Sequence, residues 1–310
     1  MSVRVTETAE LKDFLRIASG LTESGGNPRT KEIVHRLLSD LCVAIEDLNI
    51  TPDEFWAGVH YLNKLGAAGE AGLLAAGTGL EHFLDLRMDA QDELDGIKGG
   101  TPRTIEGPLY VAGAPLCDGF AKLDDGSDKD GRTLIMHGTV RNIDGQPLAN
   151  AIVDVWHANT KGLYSYFDKS QSDYNMRRRI RTDAQGNYKF ESILPHGYGC
   201  PPDGPTQGLL DQLGRHGQRP AHIHFFISAD DHRHLTTQIN IAGDEYLRDD
   251  FAYATREELI PELFERTDEA SMKAHQQSGP FVEIQFDFVL HAVSNSDADG
   301  TVERVRAVPA

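Results

Sequence analysis

Two hydrophobic periodicities divide the chain. Through residues 1 to about 100, apolar side chains recur every three to four positions, the spacing of one helix face. Leu11, Phe14, Leu15 and Ala18 form such a face. Asn27-Pro28 is a start signal, with proline at the first helical position. An apolar stripe of Ile33, Val34, Leu37, Leu38, Leu41, Cys42 and Ile45 follows it. Thr51-Pro52-Asp53-Glu54 is a capping box, opening a third helix through Phe55, Trp56, Val59, Leu62 and Leu65. From about Glu70 the run GLLAAGTGLEHFLDLRM reads as a fourth helix, apolar nearly all round at its start. Such a helix is expected to be buried on more than one side, by protein, a partner subunit or a bound apolar molecule.

The segment DELDGIKGGTPRTIEGP, residues 92–108, is rich in Gly, Pro and charge and marks a change of character. Beyond it the period shortens to that of strands. Strands are expected over Leu134–Val140, Ala151–Trp156 (Ile152 and Asp154 on one face), His222–Ser228, Thr236–Ile241 and Phe281–Leu290. Asp144-Gly145 marks a turn, and Arg181–Ile193 reads as a hairpin around TDAQGN. Residues 244–275 are acidic and expected to be partly helical, and the tail after Ser294 is polar. The predicted fold class is α+β, with a helical domain at residues 1–104 and a mainly-β sandwich at 105–310.

Composition narrows the function classes. A formal net charge of −18 over 310 residues argues against nucleic acid, which demands a basic face. The one basic run, Arg177-Arg178-Arg179 with Arg181, is short and expected to form a local salt-bridge cluster. Three widely spaced cysteines, Cys42, Cys117 and Cys200, make neither a zinc spacing nor a disulfide framework. With no apolar run near the ~18 residues of a membrane span, and no leader-like N-terminus, the expected location is the cytoplasm.

Candidate chemistry gathers between Pro195 and Phe226. In His222-Ile223-His224 alternate residues of a strand share a face, so both imidazoles reach one point, as two neutral nitrogen ligands to a metal do. Tyr198 lies upstream in a GYG turn, and Arg219 precedes the first histidine by three residues. A phenol, a guanidinium and two imidazoles suggest a metal site that handles an oxyanion. A lone His-x-His among 13 histidines also fits a polar, solvated strand. The apolar HIHFFIS context favours burial, and buried imidazoles need partners.

Longer motifs then align. HGTVRNIDGQPLANAIVDVWHANTKGLY, residues 137–164, resembles the signature of intradiol ring-cleavage dioxygenases. RPAHIHFF resembles that family's histidine-ligand strand and PHGYG its second tyrosine ligand. GLLAAGTGLEHFLD and TPRTIEGPLYVAGAP are similar to the bacterial catechol 1,2-dioxygenase branch, and the likeness covers nearly the whole chain. It implies a non-haem Fe(III), one per subunit, held by Tyr164, Tyr198, His222 and His224. Periodicity alone leaves Tyr164 and Tyr166 equivalent, and only the signature separates them.

The implied reaction is intradiol cleavage of catechol by O2 to cis,cis-muconate, with both oxygen atoms incorporated, in aromatic catabolism. A ferric ion, two tyrosinates and one hydroxide sum to zero charge. A catechol that sheds two protons keeps the site neutral if it displaces hydroxide and one tyrosinate, each accepting a proton. The resemblance gives Tyr198 that departing role, Arg219 the stabilisation of charge developing on the substrate, and Gln238 a hydrogen bond beside it. It implies an apolar pocket walled by Leu73, Ala76, Ile105, Pro108, Leu109, Phe251 and Ala252, with Cys200 near the ring. Small side chains at Ala76 and Ala252 are expected to leave room for a methyl substituent. A homodimer through the N-terminal helices is also implied, with a phospholipid in an apolar tunnel there. A hydroxyquinol or chlorocatechol 1,2-dioxygenase with the same iron site, and a zinc-binding β-sandwich module without catalysis, stay open. An extradiol enzyme would need two histidines and one carboxylate on Fe(II).

Overall fold

In the computed structural model residues 4–293 are described, so the polar tail after Ser294 lies outside the described residues. The chain forms two compact units that meet in sequence between Ala67 and Ala68. The first holds, among the described residues, three α-helices, α1 (Ala9–Ala18), α2 (Pro28–Asp47) and α3 (Pro52–Ala68). Their start signals act locally as read. Asn27 Oδ1 accepts the Thr30 N–H at 3.0 Å, and Glu54 Oε2 accepts the Thr51 N–H at 2.8 Å while Thr51 Oγ1 accepts the Glu54 N–H at 3.3 Å. The α2 stripe is another matter: Ile33, Leu37 and Leu41 are exposed.

The second unit begins with α4 (Ala71–Gly77) and α5 (Leu80–Leu94), so these two helices belong with the sheets although composition changes only around residues 92–108. The single fourth helix of the sequence pattern is two, broken at Gly79, whose φ of 76° is left-handed and favours a residue without a Cβ. Burial follows the expectation on α4, where Ala76 and Gly77 are buried. On α5, Glu81 and Asp85 are buried while Leu80, Phe83 and Leu84 are exposed within the single chain.

Among the described residues thirteen strands follow: β1 (Leu116–Asp118), β2 (Phe120–Lys122), β3 (Thr133–Asn142), β4 (Ile152–His157), β5 (Arg177–Arg181), β6 (Asn187–Ile193), β7 (Tyr198–Gly199), β8 (Gln218–Arg219), β9 (His222–Ser228), β10 (Leu235–Asn240), β11 (Phe264–Arg266), β12 (Phe281–Gln285) and β13 (Phe288–Leu290). Helix α6 (Pro205–Gln212) precedes β8, and α7 (Glu269–Ala274) precedes β12. One sheet has the order β1-β5-β4-β9-β10. A second runs β11-β12-β3-β6-β2, with β13 also on β3, and β7 pairs with β8 alone. One apolar core takes side chains from both large sheets, including Leu134 and Met136 of β3, Phe190 of β6, Val153 and Val155 of β4, and Ile223, Phe225 and Ile227 of β9. That is the two-layer packing expected of a sandwich.

Three expectations need correction. Arg181–Ile193 is no hairpin: β5 and β6 lie in different sheets, and the tight turn between them carries the chain from one layer to the other. Phe281–Leu290 is interrupted, giving β12 and β13. The arginine run is strand β5, and among the described residues only Arg181 of the four makes a salt bridge, with Asp118 at 2.9 Å. Arg178 and Arg179 donate to the carbonyls of Tyr174 and Ala114, at 2.7 and 2.8 Å.

Strand alternation positions the site. On β9, Ile223, Phe225 and Ile227 enter the core, so His222, His224 and Phe226 face the opposite side of the five-stranded sheet. Antiparallel register places Trp156 of β4 and Gln238 of β10 on either side of His224, with Asn240 opposite His222. These side chains form one buried polar and aromatic face.

Candidate active site

His222 and His224 bring their Nε2 atoms to 3.0 Å. His222 Nδ1 lies 2.6 Å from the Pro220 carbonyl, which can only accept, so that nitrogen carries the proton and Nε2 presents its lone pair. His224 stacks on the indole of Trp156 at 4.9 Å and 5° between planes, which fixes its ring. Burial, and then the Arg219 charge, lower the His222 pKa to about 3. Burial, and then His222 and Arg219, hold His224 well below the usual histidine range. Both rings are therefore neutral, the form that ligates metals.

Two phenols stand beside them. Gly162, at φ 72°, lets the 159–164 turn pass against the next loop: a Cβ there would lie 2.7 Å from the Gly197 carbonyl oxygen and 2.8 Å from Tyr198 Cβ. That close approach sets the Tyr164 and Tyr198 rings edge to face at 5.4 Å. Tyr198 is also 5.4 Å from the His222 ring. On the β7-β8 ribbon it pairs directly with Arg219. Tyr166, by contrast, packs on Phe167 and lies under Lys169. Tyr164 Oη is buried and makes no hydrogen bond of ordinary geometry, and the same is true of His224 Nδ1. Burial, and then the neighbouring Tyr198, push the Tyr164 phenol well above 10. A buried phenol of this kind ionises only if a cation is supplied.

Arg219 is buried and its donors are directed. Nε and Nη2 reach Asp250, Nη2 also donates to Gln238 Oε1 at 2.8 Å, and Nη1 lies 3.0 Å from His222 Nε2. Gln238 Nε2 donates in turn to Asn240 Oδ1 at 3.1 Å. Five of the expected pocket residues, Ala76, Ile105, Cys200, Phe251 and Ala252, share one buried apolar cluster with Leu210 and Ala254. Leu109 packs instead against the cluster of Tyr110, Trp156, Ala158, Tyr164 and Phe226. Leu73 is half-buried on α4, and Pro108 is exposed, against Gly72. Burial, and then Glu70, raise the Cys200 thiol to about 11, so it stays protonated and is no nucleophile.

Several neighbours escaped the sequence reading. Trp156 and Asp250 are two. Arg177 is another, buried with its guanidinium carbon 5.6 Å from the Tyr164 ring centroid, its Nη1 making no hydrogen bond. Their positions in strand and loop gave no local signal. Asp250 is preceded by Asp249, which pairs with His216 at the surface. Among the described residues no three His, Cys, Asp or Glu side chains form a metal-holding group. The groups that can complete a set with the two imidazoles are thus the phenols. Two neutral nitrogens and two phenol oxygens, one of them orphaned, fit a hard trivalent cation.

Comparison with known proteins identifies the family. The family model "Dioxygenase" matches residues 105–292 and "Catechol dioxygenase N terminus" matches residues 27–96. Catechol 1,2-dioxygenase of Acinetobacter baylyi is 60% identical, with 99% of each chain covered. The solved structure of catechol 1,2-dioxygenase from Acinetobacter sp. ADP1 superposes with a TM-score of 0.95 at 60% identity, covering 99% of this chain and 100% of that one. Chlorocatechol 1,2-dioxygenase of Pseudomonas putida is more distant, at 36% identity over 76% of this chain and 88% of its own. The chain belongs to the intradiol ring-cleavage dioxygenases, oxidoreductases that depend on non-haem iron.

Proposed function

We propose that this enzyme cleaves catechol between its two hydroxyl-bearing carbons with O2, giving cis,cis-muconate and incorporating both oxygen atoms. The observation that carries the reading is the meeting of two neutral imidazoles and two phenols on one buried face. Tyr164, Tyr198, His222 and His224 would hold one Fe(III) per subunit. When bound, that ion supplies a Lewis acid strong enough to keep phenols ionised and to draw electron density from a bound catechol.

The protein's own part follows from placement. The cluster around Phe251 and Ala252 excludes water and receives a flat ring. Tyr198, half-buried where Tyr164 is buried, takes a proton from the incoming catechol at its phenolate oxygen. Tyr164 stays in place, with the Arg177 charge behind its ring. Arg219 Nη1 stands where negative charge develops on the substrate.

The test is aerobic turnover of catechol followed by ultraviolet absorbance. Accumulating muconate is expected, and a yellow semialdehyde would refute intradiol cleavage. Tyrosinate bound to Fe(III) would give a broad visible absorption band, and Tyr198→Phe should bleach much of it and impair turnover; survival of both would remove Tyr198 from the ligand set. Chlorocatechols and hydroxyquinol are the competing substrates. The weaker likeness to a chlorocatechol enzyme supports ranking chlorocatechols behind catechol. The small Ala76 and Ala252 support tolerance of a methyl group, to be read as comparable kcat/KM for 4-methylcatechol and catechol.

We also infer a homodimer through the N-terminal helices. The support is the exposed apolar side chains of α2 and α3, among them Leu37, Leu41, Trp56 and Leu62. A cavity of about 330 Å³ in the first unit is lined by Leu11, Leu15, Leu21 and Val43 together with Lys12, Arg16 and His35. Its greasy walls and basic rim suit a phospholipid. No described helix is long and apolar enough to cross a membrane. The three unpaired cysteines support a reducing cytoplasm as the site of action.

A further inference from the structure

Arg219 is held by a carboxylate that has a second task. The two oxygens of Asp250 accept Arg219 Nε and Nη2, each at 3.1 Å, and the side chains are only 4% and 1% exposed. The same oxygens accept the backbone N–H groups of Ala252 at 3.0 Å and Ala254 at 3.2 Å. Gln238 takes the remaining reach of Nη2. A guanidinium gripped along one edge in this way cannot swivel, so Nη1 is the corner left to face His222.

The geometry points to Asp250 as a positioning residue for ring cleavage: it aims Arg219 Nη1 at the imidazole pair and locks that aim to the apolar wall at Phe251 and Ala252. The assignment rests on the function proposed above and deepens it. One carboxylate sets both where charge is stabilised and where the ring edge lies, so a shift in either moves the other. Burial makes the link strict, because Arg219 without Asp250 would be a buried charge with no opposite charge beside it.

The test compares Asp250→Asn, Arg219→Gln and the double variant in the iron-loaded enzyme. Asp250→Asn keeps the size of the side chain and one oxygen for the turn. It should lower kcat by about 10²-fold while KM for catechol stays within about threefold, the pattern of a group felt in the transition state. If Asp250 acts through Arg219, the double variant should have the kcat of Arg219→Gln alone. This comparison survives even if Asp250→Asn alone fails to fold, since removing the guanidinium removes the stranded charge. In the metal-free proteins the thermal midpoint should fall by several degrees in Asp250→Asn and recover in the double variant.

A wild-type kcat in Asp250→Asn would overturn the assignment, as would a further tenfold loss in the double variant relative to Arg219→Gln. So would a thermal midpoint that does not recover, which would leave Asp250 with turn closure alone. Failure of the wild-type enzyme to make muconate is a separate outcome: it would overturn the functional reading and this assignment with it.

Discussion

A methyl group at Gly162 has nowhere to go, because both the Gly197 carbonyl and Tyr198 Cβ stand under 3 Å from it and φ is left-handed. Gly162→Ala is therefore expected to destabilise by about 1–3 kcal/mol and to lower iron content, measured by urea unfolding and metal analysis. Asp85 offers the opposite experiment. It is buried, its Oδ2 has no hydrogen-bond partner, and burial first, with Glu81 adding repulsion, raises its pKa from 3.8 to about 6 despite Arg256. The folded state thus binds this proton more tightly than the unfolded one. The stabilisation is complete below pH ~4, is lost as pH rises through ~6, and leaves an ionised carboxylate in a poor place above that. Asp85→Asn should raise stability at pH 7–8 by on the order of 2–3 kcal/mol, a gain that vanishes below pH ~4 in thermal scans. At this scale sequence legibility was uneven. The two histidines could be read because their spacing is itself the geometry of a strand. Tyr164 against Tyr166, and Asp250 against Asp249, could not, because burial decides each pair and burial comes from distant segments.

Along β9 the alternation that aims the histidines also anchors the strand. Phe225 is fully buried, between Phe190 and Phe288. Phe225→Ala should cost about 3–5 kcal/mol in chemical denaturation. Helix starts were legible for a similar reason, since the Thr51–Glu54 box is closed by residues three apart. The connection from β5 to β6 reads as a hairpin in sequence because its turn chemistry is equally local: Asp183 Oδ1 accepts the Gln185 and Asn187 N–H groups at 2.9 and 2.8 Å whichever sheet the next strand joins. Helix α5 hides its inward-facing carboxylates from the sequence for the opposite reason. Its buried Glu81 caps the Glu106 N–H at 3.2 Å, and its Asp89 pairs with Arg103 and Arg256 at 3.0 and 2.8 Å, partners that no periodicity within the helix reveals.

For the whole molecule, a net charge of −18 acts at long range. It leaves neutral catechol indifferent but repels the dianionic muconate, and salt screens that repulsion within a Debye length of about 10 Å at 0.1 M. Product inhibition should therefore strengthen with added salt, measured as a falling inhibition constant for muconate. The sheets meanwhile divide labour by parity: odd positions of β9 hold the two layers together, and even positions face the candidate site. The consequence is evolutionary. Substitutions at 222 and 224 should abolish turnover yet leave cellular abundance near normal, whereas those at 223, 225 and 227 should deplete the protein before its activity can be assayed. A one-residue insertion in this strand would exchange the two sets and lose both at once, so drift in this enzyme is confined to substitution, with its reading frame of inside and outside fixed by the pleat.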